Sequence, residues 1–400
     1  MQSKIEVRKA FKVVIFLGLV SLFADITYEG ARGVIGPFLF TLGASATIVG
    51  LVSGLGELIG YGFRLISGYV ADKTKRYWAI TIVGYFINLI AVPLLAFAGS
   101  WEIASVLIVA ERFGKAIRTP ARDTILSYAS SSIGYGKGFG LHEAIDQIGA
   151  IVGPLLVAGV IYSSKSYSLA FLSLGIPAVL SLLMLFITMA SYPDSKTLET
   201  RSTSLSNDKL DKTFYLYLLF IMLTVCGYPH FQIISYHFKK IQIVSDEVIS
   251  TLFAVAMAVD AVVGLIIGSL FDKFRLRILF LVPFFVIPIS IFAFVWESLI
   301  TVVISVVLWG IVMGFHETVM KSAIAVIVPM EKRGLAYGIF HSLFGVAWFV
   351  GGLAIGRLYE ISIFYLIVFF SRASSFIVNL FCLAKASREN FLSFSFCKRY

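Results

Sequence analysis

Asp25, Glu29 and Arg32 stand four and three residues apart inside the first apolar run of the chain, a spacing that puts all three on one face of a helix. Glu57 and Arg64 share a face of the second run. Arg112, Lys115, Arg118 and Arg122 form a stripe on the fourth, with Glu111 beside it, and the fifth adds His142, Glu143 and Asp146. A charge at bilayer depth costs roughly 2.5–3.5 kcal/mol on insertion scales, so each needs a partner or a water-filled path. Desolvation favours a protonated carboxyl and a neighbouring arginine an ionised one, so proton occupancy can be switched by whatever lies beside it. Asp25 and Glu29, expected across a cavity from Arg112, are therefore the leading candidates for tying a proton to a solute, with Tyr28 as a pocket residue. Arg112 and Lys115 can either hold an anionic group or neutralise Glu111, Glu57 and Asp25. Arg118, Arg122 and Asp123 approach the end of their span, where structural pairing is expected. His142, His316 and His341 titrate in a useful range and are relay candidates, against the commoner role of interhelical hydrogen bonding.

The second half of the chain is sparser, with Asp260, His316, Glu317, Lys321, His341 and Arg372. This asymmetry assigns ionic work to the first half and an apolar, aromatic wall to the second. The substrate and proton-coupling set is then Asp25, Tyr28, Glu29, Arg32, Glu57, Arg64, Arg112, Lys115, His142, Glu143, Asp146 and Glu317.

The elements that must position these groups follow from hydropathy. Of 400 residues 58% are hydrophobic and 14% charged, with mean hydropathy +0.91, more apolar surface than a water-soluble chain could hide and what a bilayer requires at roughly 20 residues per helix. Apolar runs cover 12–41, 46–71, 77–98, 102–129, 137–162 and 167–190; a polar, Ser/Thr-rich stretch at 191–213 reads as a linker; six more runs cover 214–237, 247–271, 276–296, 299–328, 334–358 and 362–386. The expectation is an all-α membrane protein of 12 transmembrane helices, in bundles at 1–190 and 214–386, with a tail at 387–400. Continuous helix-length runs argue against a strand barrel. The first run is too long for a cleaved signal peptide and carries Asp25, Glu29 and Arg32. With the N-terminus cytoplasmic, only Lys165, Lys239, Lys240 and Arg357 fall in outside segments, against twenty-two Lys and Arg inside, which puts both termini in the cytoplasm of a cell-membrane protein. Topology thereby explains the net charge of +10 without a nucleic-acid partner. Cys226, Cys382 and Cys397 lack ligand spacing and are expected as free thiols, with no metal and no cofactor.

One stretch is written twice. "GYVADKTKR" ends the second run and "GSLFDKFRLR" ends the eighth, matching Gly68 with Gly268, Asp72 with Asp272 and Lys73 with Lys273. Corresponding runs start about 195 to 202 positions apart, the mark of an internal duplication. Parallel halves related by an axis along the membrane normal are one way secondary transporters are built.

On these residues the sequence resembles the major facilitator superfamily over nearly its whole length. The family's loop after the second helix, Gly-x-x-x-Asp-Arg/Lys-x-Gly-Arg-Arg/Lys, is matched by Gly68, Asp72, Lys73 and Arg76, with Lys75 at the second glycine and Tyr77 at the last basic position. Gly140, Gly149, Gly153 and Pro154 match the fifth-helix pattern of exporters that work as antiporters, with Val157 and Ala158 where two glycines usually follow. The "ERFGKAIRTPARD" segment resembles the family's arginine motif, with Arg112 at the arginine. The resemblance implies two pseudo-twofold-related six-helix bundles, and a non-enzymatic carrier of the drug and metabolite exporter branch that moves a small organic solute by alternating access. It also implies that Gly68, Asp72, Lys73, Arg76, Gly268, Asp272 and Lys273 form conformational latches, Asp72 reaching the start of the eleventh helix near Arg333. Proton-coupled efflux is the leading expectation, with proton-coupled uptake of a small anionic metabolite, or movement of an amphiphile, as the alternatives. Partners are the solute, protons and the bilayer, for a monomer. No phosphate-binding Gly-x-x-x-x-Gly-Lys-Ser/Thr loop occurs, and the His and Cys residues form no catalytic set by spacing.

Overall fold

The computed structural model describes residues 2–131, 135–193, 212–328 and 333–369, and the secondary structure in them is helical. The first expected span is α1 (Gln2–Arg32) continued, after a turn at Gly33 and Val34, by α2 (Ile35–Thr41). Then come α3 (Ala46–Thr74), α4 (Tyr77–Leu94), α5 (Trp101–Ser131) and α6 (Tyr135–Ser164), and a sixth span split into α7 (Tyr167–Ser173) and α8 (Gly175–Ser191). The second half runs α9 (Lys212–Cys226), α10 (Phe231–Lys240), α11 (Asp246–Phe274), α12 (Val282–Phe294), α13 (Leu299–Gly314), α14 (Met320–Ile327) and α15 (Arg333–Ile361). Helix resumes at 363–369, where the twelfth span is expected. The rest of that span, most of the linker, the tail, Arg372, Cys382 and Cys397 lie outside the described residues.

Local chemistry sets the breaks. Pro229 cannot donate to a helix ladder, and the seventh span divides there, between Cys226 and Phe231. Trp309 repairs the gap: its indole N–H donates to the Pro229 carbonyl at 2.9 Å, while the Tyr228 hydroxyl donates to the Trp309 carbonyl at 2.9 Å. Ser45 caps α3, and Ser298 with Thr301 forms a capping box on α13. Lys75 ends α3 in the left-handed region (φ 55°), at the position where the resembled loop carries its second glycine.

The two halves repeat one plan. In the first, α6 packs on α1 and α5 on both α3 and α4; in the second, α15 packs on α9 and α13 on both α11 and α12. Gly68 faces Pro120 of α5, and its counterpart Gly268 faces Thr318 of the α13–α14 junction. The halves meet where α3 lies along α15, α6 against α11 and α2 against α10. Glycines make the approach possible: a Cβ at Gly50 would collide with the Gly352 carbonyl, one at Gly356 with that of Ala46, and one at Gly36 with that of Gln232. The rim of this seal, beside the α2–α3 turn, carries Lys165–Glu247 (2.9 Å) and the Thr47 hydroxyl on Glu360 (2.6 Å). Large apolar side chains such as Leu265 and Tyr162 point outward, as a lipid-facing surface requires.

Candidate functional site

The site begins with a close helix contact. Added Cβ atoms at Gly149 and Gly153 would strike the Leu22 and Ile26 carbonyl oxygens, so only glycine lets α6 lie this near α1. One turn before Gly149, Asp146 is thereby carried to within hydrogen-bonding reach of Asp25. The Tyr28 hydroxyl donates to Asp25. Two carboxylates and a phenol thus share one spot between α1 and α6. Of the fifth-helix motif, Gly149 and Gly153 do this packing; Pro154 offers its carbonyl to Ser250 of α11 (2.8 Å), and Gly140 faces open space.

A continuous ionic network adjoins that spot. Arg32 bridges Glu29 (3.1 Å) and Glu57 (2.8 Å), joining α1 to α3. Arg112 of α5 pairs with the same Glu57 (3.6 Å) and with Glu111 (3.2 Å), whose other oxygen accepts from Asn88 of α4 (2.8 Å). Lys115 lies 3.9 Å from Glu29 and 4.0 Å above the Tyr28 ring. The carboxylates and guanidinium groups are buried, whereas 22% of the Lys115 side chain remains accessible. Below it, Arg122 pairs with Asp123 (2.7 Å) and donates to Ser21 (3.1 Å), which also contacts His142 Nε2 (3.0 Å).

The structure sorts the expected residues. It joins Asp25, Tyr28, Glu29, Arg32, Glu57, Arg112, Lys115 and Asp146, while His142 contacts Ser21, which is shared with Arg122 and Tyr85 instead. Arg112 does not face Asp25 and Glu29 across a cavity: Glu57 lies between, and Asp25 turns to Tyr28 and Asp146 instead. Arg64 leaves the group, its Nε donating to the Gly60 carbonyl (2.8 Å) and its guanidinium lying 4.6 Å over Tyr61. Glu143 is exposed, and Glu317 lines a separate cleft where α3 meets the second half. His142, Glu143 and Asp146 bring ligand atoms within 4.8 Å of one another, and the His142 Nε2 also contacts Ser21 (3.0 Å).

Of the latches, Asp72 is exposed and accepts from Tyr77 (3.1 Å) in its own half, Lys73 and Arg76 are exposed, and Lys273 lies over the Phe274 ring (5.5 Å). The Asp272 side chain and those at the start of α15, including Arg333, lie outside what is described.

Arg118 departs from its expected place. It is 1% exposed, its guanidinium 4.2 Å from the Tyr85 ring and 5.6 Å from that of Tyr28, with Nε and Nη1 unpartnered. Its position three residues after Lys115 turns it inward, onto the same stripe. Tyr85, Asn88 and Ser21 were absent from the expected set; Asn88, a lone amide in an apolar run, was the readable signal.

The Major Facilitator Superfamily model matches residues 17–351 and 213–390. An uncharacterized protein of Mycobacterium tuberculosis is 38% identical over 366 residues, covering 90% of this chain and 89% of that protein. An uncharacterized MFS-type transporter of Methanocaldococcus jannaschii is 25% identical over 362 residues, covering 89% and 90%. Among solved structures, a bacterial homolog of the human lysosomal transporter Spinster, inward-facing and unoccupied, superposes with TM-score 0.72 at 17% identity, covering 93% of this chain and 97% of that one. The nucleoside transporter NupG superposes with TM-score 0.72 at 16% identity, covering 93% and 99%.

Proposed function

The chain belongs to the major facilitator superfamily, and from that premise we propose that it is a proton-coupled exporter of a small organic solute, an antiporter working by alternating access in the cell membrane. The observation that carries the coupling is the Asp25–Asp146 contact. Two carboxylates in hydrogen-bonding reach hold one proton between them. When it leaves, two like charges remain, and the cations able to compensate are Arg122, Lys115 and Arg118. Lys115 also serves Glu29, so turning toward the aspartates loosens Glu29, and through it the Arg32–Glu57–Arg112 chain that ties α1, α3 and α5 together. Proton occupancy and the arrangement of these helices are then one equilibrium. A solute binding among them is linked to it reciprocally.

The export direction rests on the fifth-helix motif. With both termini cytoplasmic, the seal beside the α2–α3 turn is on the outer face and the chain stands inward-facing, as the superposed Spinster homolog does. An Asp72 bonded to Tyr77 is then a latch undone in this state. Uptake of a small anionic metabolite is a second reading, favoured by one observation: the buried Arg118 with two N–H atoms unpartnered.

The test is transport in sealed proteoliposomes with a pH dye inside, screening organic solutes for solute-dependent proton movement. Asp25→Asn and Asp146→Asn should each cut gradient-driven flux by roughly 5–150-fold, the usual span of coupling energies, while solute exchange at equal pH persists. Gradient-driven flux unchanged in both variants would rule the coupling site out. Flux confined to acids and lost in Arg118→Gln would favour the second reading.

A further inference from the structure

On α6, His142 stands four residues before Asp146 and Glu143 three before it, so one face of the helix offers an imidazole and two carboxylates. Their ligand atoms lie within 4.8 Å of one another. Donors around a tetrahedral first-row metal ion stand roughly 3–4 Å apart, so small side-chain rotations close this set on an ion. A fourth donor comes from α1: Asp25, buried and within hydrogen-bonding reach of Asp146. The Asp146 Oδ1 is sealed from solvent and has no hydrogen-bond partner. Folded chains leave few buried polar atoms in that condition, and a bare carboxylate oxygen beside an imidazole points to a cation. The outer partners are of the kind that orient metal ligands. The Ser21 hydroxyl meets His142 Nε2 at 3.0 Å, and when it accepts that N–H the lone pair of the ring lies on Nδ1. The Tyr28 hydroxyl steadies Asp25 in the same way.

The charges around this corner leave room for a positive guest. Arg32, Arg112 and Lys115 answer Glu29, Glu57 and Glu111 in the neighbouring network, and Arg122 answers Asp123 at 2.7 Å. Arg118 then faces both Asp25 and Asp146, an excess of one negative charge in a buried place before Glu143 is counted. We propose that this corner of α1 and α6 binds a divalent first-row transition-metal ion, held by His142, Glu143 and Asp146 with Asp25 completing the set. An imidazole among carboxylates suits ions such as Mn²⁺, Co²⁺ and Zn²⁺ and disfavours Mg²⁺ and Ca²⁺, which take oxygen donors. Glu143 is exposed and gives the ion its way in. The inference goes beyond export of an organic solute and shares Asp25 and Asp146 with it: an ion there clamps the two aspartates together and stops the carrier from cycling.

The test is titration of Co²⁺ into the purified, tag-free full-length chain in lipid nanodiscs, read by the visible absorption of the bound ion, whose band reports its donors. A single ion per chain should bind, yield to Zn²⁺ and resist a large excess of Mg²⁺. Glu143→Gln, at an exposed position that leaves folding intact, should weaken Co²⁺ by at least about tenfold, the least that disturbing a metal site costs. His142→Gln should weaken it as much and also shift the band, because a nitrogen donor is lost. Absorption no different from that of empty nanodiscs, or a saturable band that neither variant alters, overturns the site. If His142→Gln does not fold, Glu143→Gln and the Mg²⁺ competition still decide. The titration uses neither gradient nor solute, so its failure leaves the coupling reading standing, and a failure of gradient-driven flux leaves the metal site standing.

Discussion

At the α1–α6 contact, Gly149 sits on the Leu22 carbonyl, and the residue one turn earlier is Asp146, beside Asp25. At the α9–α15 contact, Gly351 sits on the Cys226 carbonyl, and the residue one turn earlier is Trp348, its ring 6.0 Å from that of Tyr228. The offsets agree, since 351 − 149 and 348 − 146 are both 202. One backbone device, a glycine that lets two helices touch, therefore presents a carboxylate pair in the first half and an aromatic pair in the second. Repeated architecture fixes where side chains are offered; the residue type at each offer decides the chemistry. The first half fills its interior with charges that answer one another, the second with rings around a histidine.

That contrast can be broken most forcefully at Glu57, the carboxylate shared by Arg32 and Arg112. Glu57→Gln leaves Arg32 with Glu29 alone and Arg112 with Glu111 alone, one buried positive charge in excess, and should lower stability by about 3 kcal/mol, read as a fall in melting temperature in detergent, with transport lost. Removing the Phe344 ring's neighbour by His316→Phe in the other half should cost far less, because no charge is stranded. The glycine pair sharpens the comparison at intermediate size. Gly149→Val and Gly351→Val should each destabilise by about 1–3 kcal/mol through overpacking, but only Gly149→Val should also part Asp25 from Asp146 and uncouple flux from the pH gradient. Equal uncoupling by both would mean that bundle geometry, and not the carboxylate contact, carries the coupling. The smallest effect is expected at Lys75, held at φ 55°. Lys75→Gly should relieve about 1 kcal/mol of left-handed strain and raise the melting temperature slightly, with transport unchanged.

Much of this was legible in the residues alone. Apolar runs gave the span order, and the repeated Gly-x-x-x-Asp-Lys gave the duplication. Pro229 gave the break in the seventh span, and the four-and-three spacing of Asp25, Glu29 and Arg32 gave a shared helix face. Partner choice was not legible, because it depends on rotation and distance between helices far apart in sequence. Glu57, rather than Asp25, meets Arg112, and Arg118 lies deep between two tyrosines instead of near a surface. Gly149 could be read as a packing glycine but not as what carries Asp146 to Asp25. The π-helical turn Phe315–Val319, which holds His316, has no simple sequence mark, since an inserted residue in a helix leaves the hydropathy unchanged.

The rim beside the α2–α3 turn bears on how readily the molecule changes shape. Its fasteners, Lys165–Glu247 and Thr47–Glu360, stay wet, and exposed pairs of this kind hold by only about 0–1 kcal/mol. Water inherits their bonds when they separate, and the glycine seam behind them strands no ion as it unzips. The barrier to swinging this gate is thus set by the desolvated contacts behind the rim, the Ser250–Pro154 hydrogen bond among them, within the means of a modestly held cargo to tip.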